Sequence, residues 1–145
     1  MQVTKVKILT LSVHLGNVKR EKLLGGINMK PIDIENVQKT LDSLLNKQVY
    51  IHLETTNGAY ASHVNEKAYN VGVYARNVST LFEQAKIVGE GKAYRVGLKL
   101  DKGWIYAEGL TDWEIYEKDK LLLAGHDTEG RLMVALQISE EPFSY

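Results

Sequence analysis

"VYIHLETTNGAYASHV", residues 49–64, carries the clearest fold signal of the chain. Val49, Ile51 and Leu53 alternate with polar or aromatic residues, which is the period of a half-buried β-strand. Asn57-Gly58 follows, and this dipeptide favours a two-residue hairpin turn. We therefore predict a β-hairpin here and an antiparallel architecture for the rest of the chain.

Two later stretches repeat this arrangement. "LKLDKGWIYAEG" (98–109) and "LLLAGHDTEGRLMVAL" (121–136) each place two short β-rich runs around a turn that contains glycine. In the first of them Trp104 and Tyr106 share one face, near Leu98 and Leu100. We expect both aromatic rings to pack in the core, and a stacking platform is the alternative. A second, short helix is expected around "STLFEQA" (79–85).

The stretch before Val49, "MKPIDIENVQKTLDSLLNKQ" (29–48), predicts an amphipathic helix. Asp33 is suited to cap its first N–H groups. Its apolar stripe is formed by Ile34, Val37, Leu41, Leu44 and Leu45. Residues 29–145 are therefore expected to form a single, mainly β domain. We predict a curved antiparallel sheet or small barrel of short strands, with the N-terminal helix packed on it.

Residues 1–28 differ from the rest of the chain in charge. They carry five basic residues and one acidic residue, so residues 29–145 carry a net charge of −4, since the whole chain is neutral. "GGINM" (25–29) is also what a ribosome-binding site followed by a start codon would encode. We interpret 1–28 as a translated leader or disordered extension. A half-buried strand around Leu9–Leu15 is the alternative, and a secretory signal does not fit because the apolar run is short.

Composition excludes several functions. There is no cysteine, so disulfides and thiol chemistry of the protein itself are excluded. The acidic body disfavours nucleic acid as a partner. No run of residues is long and apolar enough to predict a membrane span. No nucleophile elbow or zinc-protease motif occurs either, so catalytic residues are not assigned.

One candidate site follows from the predicted hairpin. A two-residue turn at Asn57-Gly58 would place His52 directly opposite His63, with Glu54 on the same face. Two imidazoles and a carboxylate are ligands that zinc accepts, and His126 or Asp127 could complete the set. The alternative is that these residues are the polar side of a half-exposed hairpin.

The stretches 29–61 and 96–127 resemble the YojF family of uncharacterised bacterial proteins, and the resemblance extends over essentially all of 29–145. It implies a mainly β fold and a cytoplasmic location. It also implies a gene neighbour that resembles an LmbE-type, zinc-dependent N-deacetylase of the bacillithiol pathway. No site residues carry over.

The sequence is compatible with three functions. The first is a non-catalytic accessory or binding module that associates with itself or with a deacetylase, using a patch around Trp113 and Tyr116. The second is a metal-binding protein or metal-dependent enzyme built on His52, His63 and Glu54. The third is a carrier that holds a small ligand inside a barrel.

Overall fold

The structure is a computed structural model, and it describes residues 29–56 and 72–144. The described chain contains one helix and nine strands. The helix, α1, spans Ile34–Ser43. The strands are β1 Lys30–Pro31, β2 Val49–Thr56, β3 Gly72–Thr80, β4 Gln84–Glu90, β5 Ala93–Lys99, β6 Trp104–Leu110, β7 Asp112–Tyr116, β8 Lys120–His126 and β9 Leu132–Ser139.

The strands form two antiparallel sheets. The larger sheet has the order β1-β7-β8-β9-β2-β3, and the smaller one has the order β4-β5-β6. Each sheet ends in edge strands among the described residues, so the mainly β prediction is confirmed but no closed barrel forms from them. The interior that a carrier function would need is therefore not provided by these two sheets.

The main core lies where one face of each sheet meets the other and α1. It combines Val37 and Leu41 of α1 with buried aliphatic side chains of both sheets, such as Ile51, Val96 and Leu136. The other face of the six-stranded sheet carries a smaller apolar cluster around Leu122 and Ala135, with polar groups beside it. The smaller sheet is exposed to solvent on the face that points away from the main core, where Val88, Trp104 and Tyr106 lie.

The helix prediction is confirmed. Asp33 is the N-cap, and its Oδ1 accepts a hydrogen bond from the Asn36 backbone N–H at 3.2 Å. Val37, Leu41 and Leu44 are buried as the stripe requires, whereas Ile34 remains partly exposed. The described residues contain no helix that is long and apolar enough to cross a membrane.

The second helix prediction was wrong. Residues 79–85 contain the end of β3, a short connection and the start of β4. Phe82 lies in that connection and is fully buried in the main core. Periodicity in so short a segment does not distinguish a helix from an irregular connection that is anchored by one buried aromatic side chain.

The predicted register of β2 was also wrong. His52, predicted to lie opposite His63, pairs with Gln137 of β9, and Thr56 pairs with Gly72 of β3. The strand β2 is thus bordered by β3 on one side and by β9 on the other. Both edges of β2 are therefore occupied by strands distant in sequence. The Asn57-Gly58 turn itself, His63 and residues 1–28 lie outside the described residues.

Candidate functional site

The outer face of the three-stranded sheet carries a cluster of exposed aromatic and charged side chains. We call this surface the aromatic face. Alternation along β4, β5 and β6 places the following residues on it: Lys86, Val88, Arg95, Gly97, Lys99, Trp104, Tyr106 and Glu108. Trp104 is 47% exposed, Tyr106 51% and Val88 43%. Exposed large apolar side chains grouped in this way are typical of interaction sites.

Trp104 and Tyr106 are held together by the sheet beneath them. Their rings are parallel to within 7°, and the ring centroids are 5.5 Å apart. Tyr106 pairs with Gly97 on the neighbouring strand. A Cβ at Gly97 would lie 2.9 Å from Cε1 of Tyr106 and 3.7 Å from Cε3 of Trp104. The missing side chain at position 97 therefore lets both rings rest against the strand.

The charges on the aromatic face are arranged in pairs. Arg95 forms an ion pair with Glu108, and its guanidinium carbon lies 5.6 Å from the Tyr106 ring centroid. Lys99 forms an ion pair with Glu83 at 2.7 Å. The cations beside the rings are thus largely neutralised by the protein's own carboxylates.

The prediction that Trp104 and Tyr106 pack in the core was wrong. Trp104 pairs with Lys99 and Tyr106 with Gly97, so they share a face with polar residues. Leu98 points to the opposite side and is fully buried. A shift of one residue in register moves every side chain of a strand to the other face. The polar positions of β5 were the signal that could have identified this face from the sequence.

A second candidate lies on the opposite side of the six-stranded sheet from the main core. His52 is fully buried there, and its Nε2 is 3.3 Å from Oε1 of Glu54. Its Nδ1 is 3.3 Å from Nη1 of Arg76. In the tautomer that satisfies both contacts, Nδ1 accepts from Arg76, which can only donate, and Nε2 donates to Glu54. Both ring nitrogens are therefore engaged by protein groups.

Polar neighbours extend this buried cluster along the sheet. Gln137 of β9 pairs with His52 of the neighbouring strand β2. Its side-chain Oε1 accepts a hydrogen bond from the Tyr116 hydroxyl. Burial, and next the nearby charge of Glu117, raise the pKa of Tyr116 well above its usual range. Tyr116 is therefore a neutral hydrogen-bond donor at physiological pH and not a base.

The C-terminal segment closes over the edge of this cluster. The Asn77 side chain donates to the Phe143 carbonyl at 2.8 Å and accepts from its N–H at 2.7 Å. Arg76 donates to the Ser144 carbonyl at 2.7 Å, and its guanidinium lies 5.1 Å from the Phe143 ring centroid. Arg76 thus links the C-terminal segment to His52.

The structure brings together two of the predicted metal ligands, His52 and Glu54, on one face as expected. His63 lies outside the described residues. His126 instead contacts Asp112, with Nδ1 and Oδ1 3.3 Å apart, and Asp127 binds Arg131 and backbone N–H groups of its own turn. Within the ranges 29–56 and 72–144, no three His, Asp or Glu side chains are grouped so that they could hold a metal ion.

The predicted patch of Trp113 and Tyr116 is not a common surface. Trp113 packs against the main core, whereas Tyr116 packs against the smaller cluster on the other side of the sheet. The two residues are three positions apart, so alternation along β7 places them on opposite faces.

The comparisons identify the class of protein to which the chain belongs. Residues 31–143 match the family model described as a protein of unknown function, DUF1806, and the chain belongs to this family. It is similar to the uncharacterized protein YojF of Bacillus subtilis (strain 168), with 53% identity over 116 residues. That match covers 80% of this chain and 99% of the relative. The crystal structure of Bacillus subtilis YojF has a TM-score of 0.69 and 47% identity, covering 82% of this chain and 100% of that one.

Proposed function

We propose that this chain is a non-catalytic accessory module that acts by binding a partner protein through the aromatic face. The observation that carries the proposal is the exposure of the stacked Trp104 and Tyr106 on a sheet whose other side is buried. Tryptophan, tyrosine and arginine are the residues that most often dominate the energy of protein interfaces. Trp104, Tyr106 and Arg95 supply all three at adjacent positions.

The chemistry of the aromatic face supports binding over catalysis. Two of its three cations are engaged with carboxylates, in the Arg95–Glu108 and Lys99–Glu83 pairs. A general acid or base works best with a pKa near the working pH and a free path to the reacting group. Paired surface charges do not meet that requirement, but they do suit the polar rim of an interface.

The resemblance to the YojF family suggests which partner to test first. We propose that the module works in the cytoplasm with an LmbE-type deacetylase of bacillithiol metabolism. The enzyme would perform the chemistry, and this chain would contribute the contact. Formation of a homo-oligomer is part of the same proposal, because a second copy offers the same aromatic face.

Size-exclusion chromatography with light scattering tests this function. The untagged chain is mixed with the purified deacetylase-type enzyme, and we expect the two to elute together. The double variant Trp104→Ala/Tyr106→Ala should elute separately from the enzyme. Ile115→Ala removes a comparably exposed apolar residue from the other sheet and should behave like the wild type.

Two results would contradict the proposal. If the wild-type chain elutes separately from the enzyme, the enzyme is not its partner. If the double variant still elutes with the enzyme, the aromatic face is not the contact. The mass of the chain measured alone gives its oligomeric state.

A metal site is the second candidate, and the buried approach of His52 to Glu54 is the observation that favours it. It requires His63 as a further ligand. To reach a ring nitrogen of His52, a cation would have to break the contact of Nε2 with Glu54 or the contact of Nδ1 with the positively charged Arg76.

Native mass spectrometry of the whole chain after zinc addition tests the metal site. A stoichiometric zinc adduct that the His52→Ala/His63→Ala variant loses would favour the metal site over the accessory module, and a copurifying organic mass would favour a carrier.

A further inference from the structure

The hydrogen-bonding groups beside the stacked rings are mainly donors. In the part of the chain that the structure describes, the Trp104 indole N–H and the Tyr106 hydroxyl have no hydrogen-bond partner within the protein. Lys86, paired across the strands with Gly97, adds an ammonium group that forms no ion pair among the described residues. A ligand that offers acceptors and few donors would satisfy all three.

The charge of the aromatic face limits the ligand further. Because Arg95 and Lys99 are already paired with carboxylates, a polyanion would gain little from them. The net charge of −4 on residues 29–145 opposes such a ligand as well. The surface is therefore suited to an uncharged ligand with apolar rings and exposed carbonyl groups.

We propose that the aromatic face binds a proline-rich segment of the partner in the polyproline II conformation. The inference rests on the proposed function and specifies the part of the partner that makes the contact. A proline residue has a carbonyl acceptor but no N–H donor, which complements the donors of Trp104, Tyr106 and Lys86. Its pyrrolidine ring offers an apolar surface to the stacked aromatic rings.

Conformational entropy favours the same ligand. The polyproline II helix exists before binding and has no internal hydrogen bonds, so its carbonyls are free to accept. Aromatic-lined surfaces of small β domains are a recurrent binding site for such segments. A segment that is ordered before binding loses less conformational entropy on binding than a flexible one.

Nuclear magnetic resonance of the ¹⁵N-labelled whole chain tests the proposal. The chain has two tryptophans, so the indole signals of Trp104 and Trp113 report separately on the aromatic face and on the core. We expect a blocked decaproline peptide to shift the Trp104 signal and to leave that of Trp113 in place. A glycine-serine peptide of the same length is the matched control and should have no effect.

Variants assign the binding to the stacked rings. Trp104→Ala and Tyr106→Ala should each weaken decaproline binding about tenfold or more, as measured by shifts of backbone signals of β5. Ile115→Ala should leave the binding unchanged. Dispersed spectra of all variants show that they are folded.

The opposite outcomes are distinct. The proposal is overturned if decaproline leaves Trp104 unshifted, or if the glycine-serine peptide shifts it equally. It is also overturned if oligothymidylate or cellohexaose shifts Trp104 while decaproline does not. If the enzyme still elutes with the wild-type chain in those cases, the accessory function stands and only the proline-rich segment is rejected.

Discussion

At the scale of single residues, the contact between the two sheets depends on a position without a side chain. Gly125 of β8 lies so close to β6 that a Cβ there would be 2.0 Å from the Gly109 carbonyl oxygen. The same Cβ would be 2.6 Å from Cγ1 of Val134. The backbone oxygen cannot rotate away as a flexible side chain could. The approach of β6 to β8 therefore requires glycine at position 125.

We predict that Gly125→Ala lowers the free energy of unfolding by about 1–3 kcal/mol, the usual cost of overpacking. Urea unfolding followed by circular dichroism measures it. Gly103→Ala is the matched control, because a Cβ at Gly103 meets no atom within 4 Å. Equal stability of the two variants would show that β6 and β8 do not approach each other in this way.

Asp127 shows how a turn residue makes stability depend on pH. Its Oδ1 accepts hydrogen bonds from the N–H groups of Glu129 and Arg131, both at 2.9 Å, and Oδ2 binds the Arg131 guanidinium. The backbone hydrogen bond from Arg131 is the main reason why the pKa of Asp127 is lowered. A lowered pKa in the folded state adds stability above the unfolded pKa, and this stability is lost as the pH falls through the folded pKa.

We therefore predict that Asp127→Asn lowers the urea midpoint at pH 7. The difference from the wild type should shrink as the pH falls below 4, where both proteins lack the charge. The urea midpoint measured from pH 7 to pH 2.5 checks this. Asp101→Asn, in the exposed turn between β5 and β6, serves as the control. A difference that stays constant with pH would contradict the role of the Asp127 charge.

At the scale of elements, α1 protects an edge of the smaller sheet with one side chain. The Gln38 amide donates to the Ala85 carbonyl at 2.9 Å and accepts from the Ile87 N–H at 3.0 Å. These two bonds continue the ladder of β4 on the side where that strand has no neighbouring strand among the described residues. Unpaired edges invite pairing with other chains, so Gln38 both fixes the helix and covers the edge.

We predict that Gln38→Ala lowers the free energy of unfolding by about 1–3 kcal/mol, since it removes both hydrogen bonds to β4 and a third to Asp42 within the helix. Lys39→Ala changes an exposed position of the same helix and should stay within about 0.5 kcal/mol of the wild type. Thermal and urea unfolding measure both. If Gln38→Ala matches Lys39→Ala, the bonds to β4 contribute nothing net to stability.

At the scale of the whole molecule, the two sheets share one core. Leu98 and Leu110 of the smaller sheet, Leu136 and Ile138 of the larger one, and Leu41 of α1 belong to the same buried cluster. Neither sheet could keep its apolar face dry alone. The structure therefore leads us to expect one cooperative unfolding transition.

Two tryptophan variants test this expectation. Trp113→Phe leaves Trp104 as the reporter in the smaller sheet, and Trp104→Phe leaves Trp113 as the reporter in the larger one. In each variant we expect the fluorescence midpoint in urea to coincide with the midpoint from far-ultraviolet circular dichroism. Separate midpoints within one variant would show that the two sheets unfold as independent units.

Local signals determined much of this protein. The sequence by itself predicted α1 with its Asp33 cap, the hairpins that join β5 to β6 and β8 to β9, and the mainly β class. It also placed His52 and Glu54 on one side of β2. These features depend on side-chain period and on turn residues close in sequence, which act before any distant contact forms.

Which strands meet and which faces are buried depends on contacts between residues far apart in the sequence. The Asn57-Gly58 signal gave no indication that β3 and β9 would occupy both edges of β2. The same limit applies to the aromatic face, because one residue of register determines whether Trp104 points to the core or to solvent. Register is set by competition among all strands for one shared core, and that competition depends on contacts between residues far apart in the chain.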